Sequence, residues 1–82
     1  MPSRMDATTV AFGARLQRIR RANPDRPSQD VVARAVGVTT STYCHYEQGR
    51  ATPSMAVLRR IASVLDVDPG DLLRERDDAA VG

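Results

Sequence analysis

The chain has no tryptophan, no lysine, a single histidine and a single cysteine. One cysteine cannot close an internal disulfide, which fits a reducing compartment. One His beside one Cys on a helix diverge in direction, and no third or fourth ligand follows at metal-binding spacing, so no metal or cofactor site is expected. No second base completes a catalytic constellation and no glycine-rich phosphate loop precedes a helix, so an enzyme is not expected. Aromatics make up only 4% of the residues, which leaves the core to aliphatic side chains. No apolar run approaches the ~18 residues of a membrane span. The opening MPSRMDATTV has no apolar signal segment, and a cytoplasmic location is expected. No stretch alternates polar and apolar residues as a half-buried strand does, so the fold class is all-α.

At 82 residues there is room for one domain. A core of this size supplies roughly 3–5 kcal/mol, so pairing with a second copy would help it. The expected organisation is a tail over 1–8, a helical domain over 9–74 and a tail over 75–82. The first helix runs from about Thr9 to Ala22, with Phe12, Leu16 and Ile19 on one face and Arg15, Arg18 and Arg21 off it. Helix four follows Ser54 and turns Leu58, Ile61, Ala62 and Leu65 inward. Asp68 caps a fifth helix, Pro69 suits its first position, and Leu72 and Leu73 follow. Net charge is +2, but unevenly placed. Residues 1–50 carry eight Arg against four acids, and residues 51–82 four Arg against six. The first half therefore has the charge that a polyanion requires.

That half contains the stretch around which the chain is organised, SQDVVARAVGVTTSTYCHYEQGRATP over 28–53. Ser28 caps helix two, on which Val32, Ala33 and Val36 repeat at helical spacing. Gly37 ends it in the left-handed conformation that only glycine adopts freely, making a turn of about 3 residues that sets two helices at roughly 90–120°. Thr39 caps helix three, about 40–48, and Gly49 closes it. Val32, Val36, Val38, Tyr43 and Tyr46 form one inward seam. Thr40, Ser41, Cys44, His45 and Gln48 remain outside. A solvated helix face ordinarily carries Lys and Glu. This one is short, polar and nearly uncharged, as a face entering a DNA groove requires.

Through these residues the chain resembles the lambda-repressor-like helix-turn-helix domains of Cro/Xre type. The matching elements are Ser28-Gln29, Val32-Ala33, Gly37-Val38, Thr39 to Thr42, Tyr46-Glu47 with Gly49, and Pro53, with Phe12-Gly13, Leu16 and Ile19-Arg20 upstream and Leu58, Ile61-Ala62, Leu65, Val67 and Leu72-Leu73 downstream. The resemblance implies a compact bundle of five short helices whose second and third form the helix-turn-helix. It implies a transcriptional regulator that binds double-stranded DNA as a homodimer on a near-palindromic operator. Its base readers would be Thr39, Thr40, Ser41, Cys44 and His45, on a recognition helix lying in the major groove. Its phosphate contacts would be Gln29 and Arg50, with Arg26 added by the loop 23–27, about two residues longer than is usual in the family, and with phosphate one candidate partner for the Tyr43 hydroxyl. Arg20 and Glu47 would form a structural ion pair, and Leu72 or Leu73 would meet its copy across a two-fold axis. No small molecule is implied. The alternative is a protein-interaction module of the same fold, of antitoxin or adaptor type, with little specific DNA binding.

Overall fold

The computed structural model describes residues 7–74, which form five helices: α1 (Ala7–Ala22), α2 (Gln29–Val36), α3 (Thr40–Gln48), α4 (Met55–Leu65) and α5 (Pro69–Leu73). No strand occurs among them. None of these helices is long and apolar enough to cross a membrane. Residues 1–6 of the expected tail over 1–8, including the basic Arg4, and the expected tail over 75–82 lie outside the described residues. Ala7 and Thr8 belong to α1, which therefore starts two residues before the expected Thr9. Neither residue interrupts a helix.

Four helix starts are fixed by side chains that accept from a free backbone N–H. Ser28 accepts from Val31 N, Thr39 from Thr42 N, Ser54 from Val57 N and Asp68 from Gly70 N. The ends of α2, α3 and α4 are closed by left-handed residues, Gly37 (φ 93°), Gly49 (φ 77°) and Asp66 (φ 60°).

The elements close around Leu16, Val32, Ala33, Val36, Tyr43, Leu58, Ile61, Ala62, Leu65 and Leu72, all but sealed from solvent. Tyr43 and Tyr46 meet edge to face, their ring centres 6.3 Å apart. α1 lies on α3, α2 on α3 and α4, and α5 on α4 and α1.

Three arginines tie the helices together through their guanidinium groups. Arg15, expected off the buried stripe, is buried instead. Its stem packs inward and its Nη1 donates to Leu72 O at 2.6 Å, tying α1 to α5. Arg60 Nη1 donates to Val36 O at 3.2 Å, meeting a free carbonyl at the end of α2. Arg20 is engaged as described below. The expectation for the adjacent leucines resolves into one residue each way. Leu72 is fully buried and unavailable to a second copy, while Leu73 is exposed.

Candidate nucleic-acid interface

Ser41 and His45 have no side-chain hydrogen bond, and Ser41 is exposed. The other three residues expected as base readers are already engaged. Thr39 Oγ1 accepts from Thr42 N at 3.0 Å and lies 2.9 Å from Thr42 Oγ1. Thr40 Oγ1 donates to Asp30 Oδ1 at 2.7 Å. The Cys44 thiol is directed at α2, with Sγ 3.2 Å from Gln29 Oε1. Thr40 and Cys44 thus bind the outer edge of α3 to α2, two helices already set at a fixed angle by the Gly37 turn.

Behind that edge stands a charged cluster. Arg20 donates to Glu47 through Nε (2.7 Å) and Nη2 (3.1 Å), and through Nη1 to Pro27 O (3.2 Å). The fork is nearly dry, with side-chain exposures of 12% for Arg20 and 1% for Glu47. Gln29 Nε2 donates to Glu47 Oε1 at 2.9 Å. Gln29 therefore serves the interior with one N–H and keeps the second, at the positive end of α2.

Burial pushes the Glu47 carboxyl up. Hydrogen bonding from Arg20 and Gln29, with the dipole of the Tyr43 hydroxyl beside it, outweighs burial and holds it below the usual carboxylate range. Because the folded value is the lower one, this stabilisation is complete above the unfolded value of about 4.3 and is lost as pH falls through the folded value. Melting temperature is therefore expected to be flat from neutrality down to about pH 5 and to fall in more acid solution. A Glu47→Gln variant should lack that part of the acid transition when both proteins are melted across the same pH series.

Tyr43 requires a correction. It is fully buried, so its ring fills the seam and its hydroxyl cannot reach a DNA phosphate. The hydroxyl meets no group in hydrogen-bonding geometry. Burial first, and then the Glu47 carboxylate beside it, raise it well above the ordinary phenol range.

Two cationic points flank the α2–α3 edge. Arg50 is exposed just past α3, its backbone N–H fixed to His45 O at 2.9 Å. Arg26 is exposed in the loop before α2 and takes φ 47°, a left-handed conformation costly for a residue with a Cβ. The loop is braced around it. Asn23 O accepts from Arg26 N at 2.9 Å, Asn23 Oδ1 from Asp25 N at 2.8 Å, and Asn23 Nδ2 donates to Leu65 O at 3.0 Å. Arg26, Arg20, Arg21 and Pro27 line an open pocket of about 360 Å3 with no acid on its wall. In the sequence Arg21 gives no sign of this, because its partner across the pocket comes from the loop.

Among the described residues no group of three or more His, Cys, Asp or Glu side chains converges as a metal site.

A family model described as a helix-turn-helix domain matches residues 11–75. Among solved structures, the restriction-modification controller protein C.AhdI from Aeromonas hydrophila is similar with a TM-score of 0.75 and 31% identity, over 82% of this chain and 98% of that one. The clp gene regulator ClgR from Corynebacterium glutamicum is similar with a TM-score of 0.74 and 25% identity, over 84% of this chain and 71% of that one. The SOS-response transcriptional repressor LexA from Eubacterium rectale shares the fold, with a TM-score of 0.79 at 20% identity, over 89% of this chain and 76% of that one. No curated protein sequence matches the chain.

Proposed function

The chain belongs to the helix-turn-helix domain family, and from that membership we propose that it is a sequence-specific regulator of transcription that binds double-stranded DNA as a homodimer on a near-palindromic operator. The observation that carries this reading is the α3 face. It is polar and nearly uncharged, fixed to α2 by Thr40 and Cys44, and bracketed by exposed Arg50 and Arg26. The bracketing cations supply affinity through phosphates, and Thr39, Thr40, Ser41, Cys44 and His45 supply sequence preference. The similarity to a restriction-modification controller protein over nearly that protein's whole length supports the regulator reading. Exposed Leu73, beside Met55 and Pro53 at an apolar pocket of about 240 Å3, is the dimer residue in this reading.

Roles divide by residue, and substitution separates them. Arg50→Ala is expected to weaken binding to every duplex alike and to flatten the log–log salt dependence by about 0.9 for each phosphate the arginine neutralises. His45→Ala is expected to cost roughly 1–3 kcal/mol at one base pair and to leave the salt slope unchanged. Fluorescence titrations over a salt series test both. If the two variants behave alike, the division of roles is wrong.

Arg26 gives a second test. Arg26→Ala and Arg26→Gly both remove the guanidinium and should weaken DNA binding equally. They differ in strain. Glycine releases the left-handed backbone, worth about 1–2 kcal/mol, against the roughly 0.5–1 kcal/mol of chain freedom it adds to the unfolded state. The glycine variant should therefore melt at or above the parent and above the alanine variant. Equal melting of all three would remove the strain, and unchanged DNA affinity would remove the phosphate role.

A further inference from the structure

Thr40 opens α3, and its hydroxyl has one proton. That proton lies on the 2.7 Å line to Asp30 Oδ1, because a carboxylate accepts and does not donate. The other oxygen of the same carboxylate, Oδ2, faces Arg34 Nε at 3.3 Å one helical turn along α2. Asp30 is therefore held from both sides, with one oxygen turned to the recognition helix. What remains of Thr40 for an incoming group is lone pairs alone. The adjoining carboxylate adds negative potential of the same sense. The side chains of Ser41 and His45, by contrast, have no hydrogen bond among the described residues to fix which way their protons point.

We propose that Asp30 sets the polarity of base reading by Thr40, so that this position accepts a hydrogen bond from an exocyclic amino group, adenine N6 or cytosine N4, and rejects a keto oxygen. The inference rests on the DNA-reading function proposed above and deepens it. In the major groove adenine and cytosine offer amino donors where guanine and thymine offer O6 and O4 acceptors. An unassisted threonine tolerates either kind, since its hydroxyl rotates to donate or accept. Asp30 removes that tolerance without touching the DNA. It is a positioning residue, and its charge works against phosphate attraction, so its presence at the edge of a DNA-binding surface is accounted for by specificity rather than affinity.

The test uses the full chain. Duplexes are selected from a random pool with the parent protein, Thr40→Val, Asp30→Ala and Arg34→Ala, each checked for cooperative melting. The motif column that Thr40→Val flattens is the one Thr40 reads. Two duplexes are then made at that base pair. In one, the amino group alone is deleted, using purine for adenine or pyrimidin-2-one for cytosine. In the other, the pair is reversed, so that amino and keto groups exchange places.

The parent is expected to lose about tenfold in affinity on amino deletion, the size of one hydrogen bond, and Thr40→Val to lose nothing further. Asp30→Ala should bind the reversed pair within about twofold of the original, where the parent discriminates about tenfold. Arg34→Ala, which breaks only the outer ion pair, should select the parent motif. The proposal is overturned if amino deletion leaves the parent unaffected, or if Asp30→Ala discriminates against the reversed pair as the parent does. The DNA-reading function would survive either result. Failure of the parent to enrich any motif would instead overturn that function, and the inference with it.

Discussion

Glu47→Ala is expected to cost the domain about 3–5 kcal/mol, the loss typical of removing one partner from a buried ion pair. Glu47 accepts three hydrogen bonds, two from Arg20 and one from Gln29, and its side chain is 1% exposed. Alanine leaves the Arg20 guanidinium with little water and no counter-charge between α1 and α3. It also frees Gln29 at the start of α2 and opens a void beside Tyr43. A domain this small holds roughly 3–5 kcal/mol of core stabilisation, so the loss is comparable with the whole. Thermal unfolding followed by circular dichroism should show a collapse of the cooperative transition near room temperature. The companion variant distinguishes the cause. Arg20→Met combined with Glu47→Leu replaces the pair with packed apolar groups, and such replacements are often neutral or stabilising. The double variant should melt well above Glu47→Ala. If Glu47→Ala costs less than about 1 kcal/mol, the value typical of an exposed pair, the cluster is solvated and does not join the helices as described.

Gly13→Ala is the second large effect. α1 crosses α3 so closely at this point that a Cβ on residue 13 would stand 2.5 Å from Glu47 O and 2.6 Å from Tyr46 O. Both obstacles are backbone carbonyls of a helix end, so no side chain can rotate away. The two helices would have to separate along their length, loosening Leu16 and Tyr43 and pulling Arg20 off Glu47. Overpacking of this kind costs about 3 kcal/mol, more than the roughly 1 kcal/mol that alanine gains over glycine in a helix interior. Chemical denaturation should register the net loss as a lower midpoint with an unchanged slope. A stabilised Gly13→Ala protein would mean that α1 stands farther from α3.

The helix starts and ends could be read from the sequence because each rests on local chemistry. Ser28, Thr39, Ser54 and Asp68 accept from N–H groups two or three residues ahead, and Gly37 and Gly49 supply left-handed backbone within their own turns. The burial of Arg15 was not legible. Its guanidinium is held by a carbonyl 57 positions away, which periodicity cannot register, and a charge at the margin of an apolar stripe reads as outward. Leu72 and Leu73 stand side by side on a five-residue helix, too short for a period to choose which one faces in. Tyr43 carried two conflicting signals, an inward seam position and a polar hydroxyl. The ring decided, because burying it removes far more apolar surface than one hydroxyl requires of water. The Thr40–Asp30 hydrogen bond joins side chains on two helices. It needs the angle set at Gly37 as well as the two residue types, so only one of its two conditions is written locally.

The central claim is that this fold reads DNA sequence through α3. The measurement that bears on it most directly is selection by the parent protein of duplexes from a random pool, near physiological salt, with the bound fraction sequenced. The account predicts a two-fold symmetric motif whose half-sites lie about 34–36 Å apart, one helical turn, as two copies each placing α3 in a major groove require. Enrichment of no sequence, with binding that disappears at moderate salt, would contradict it and point to a partner protein on this face.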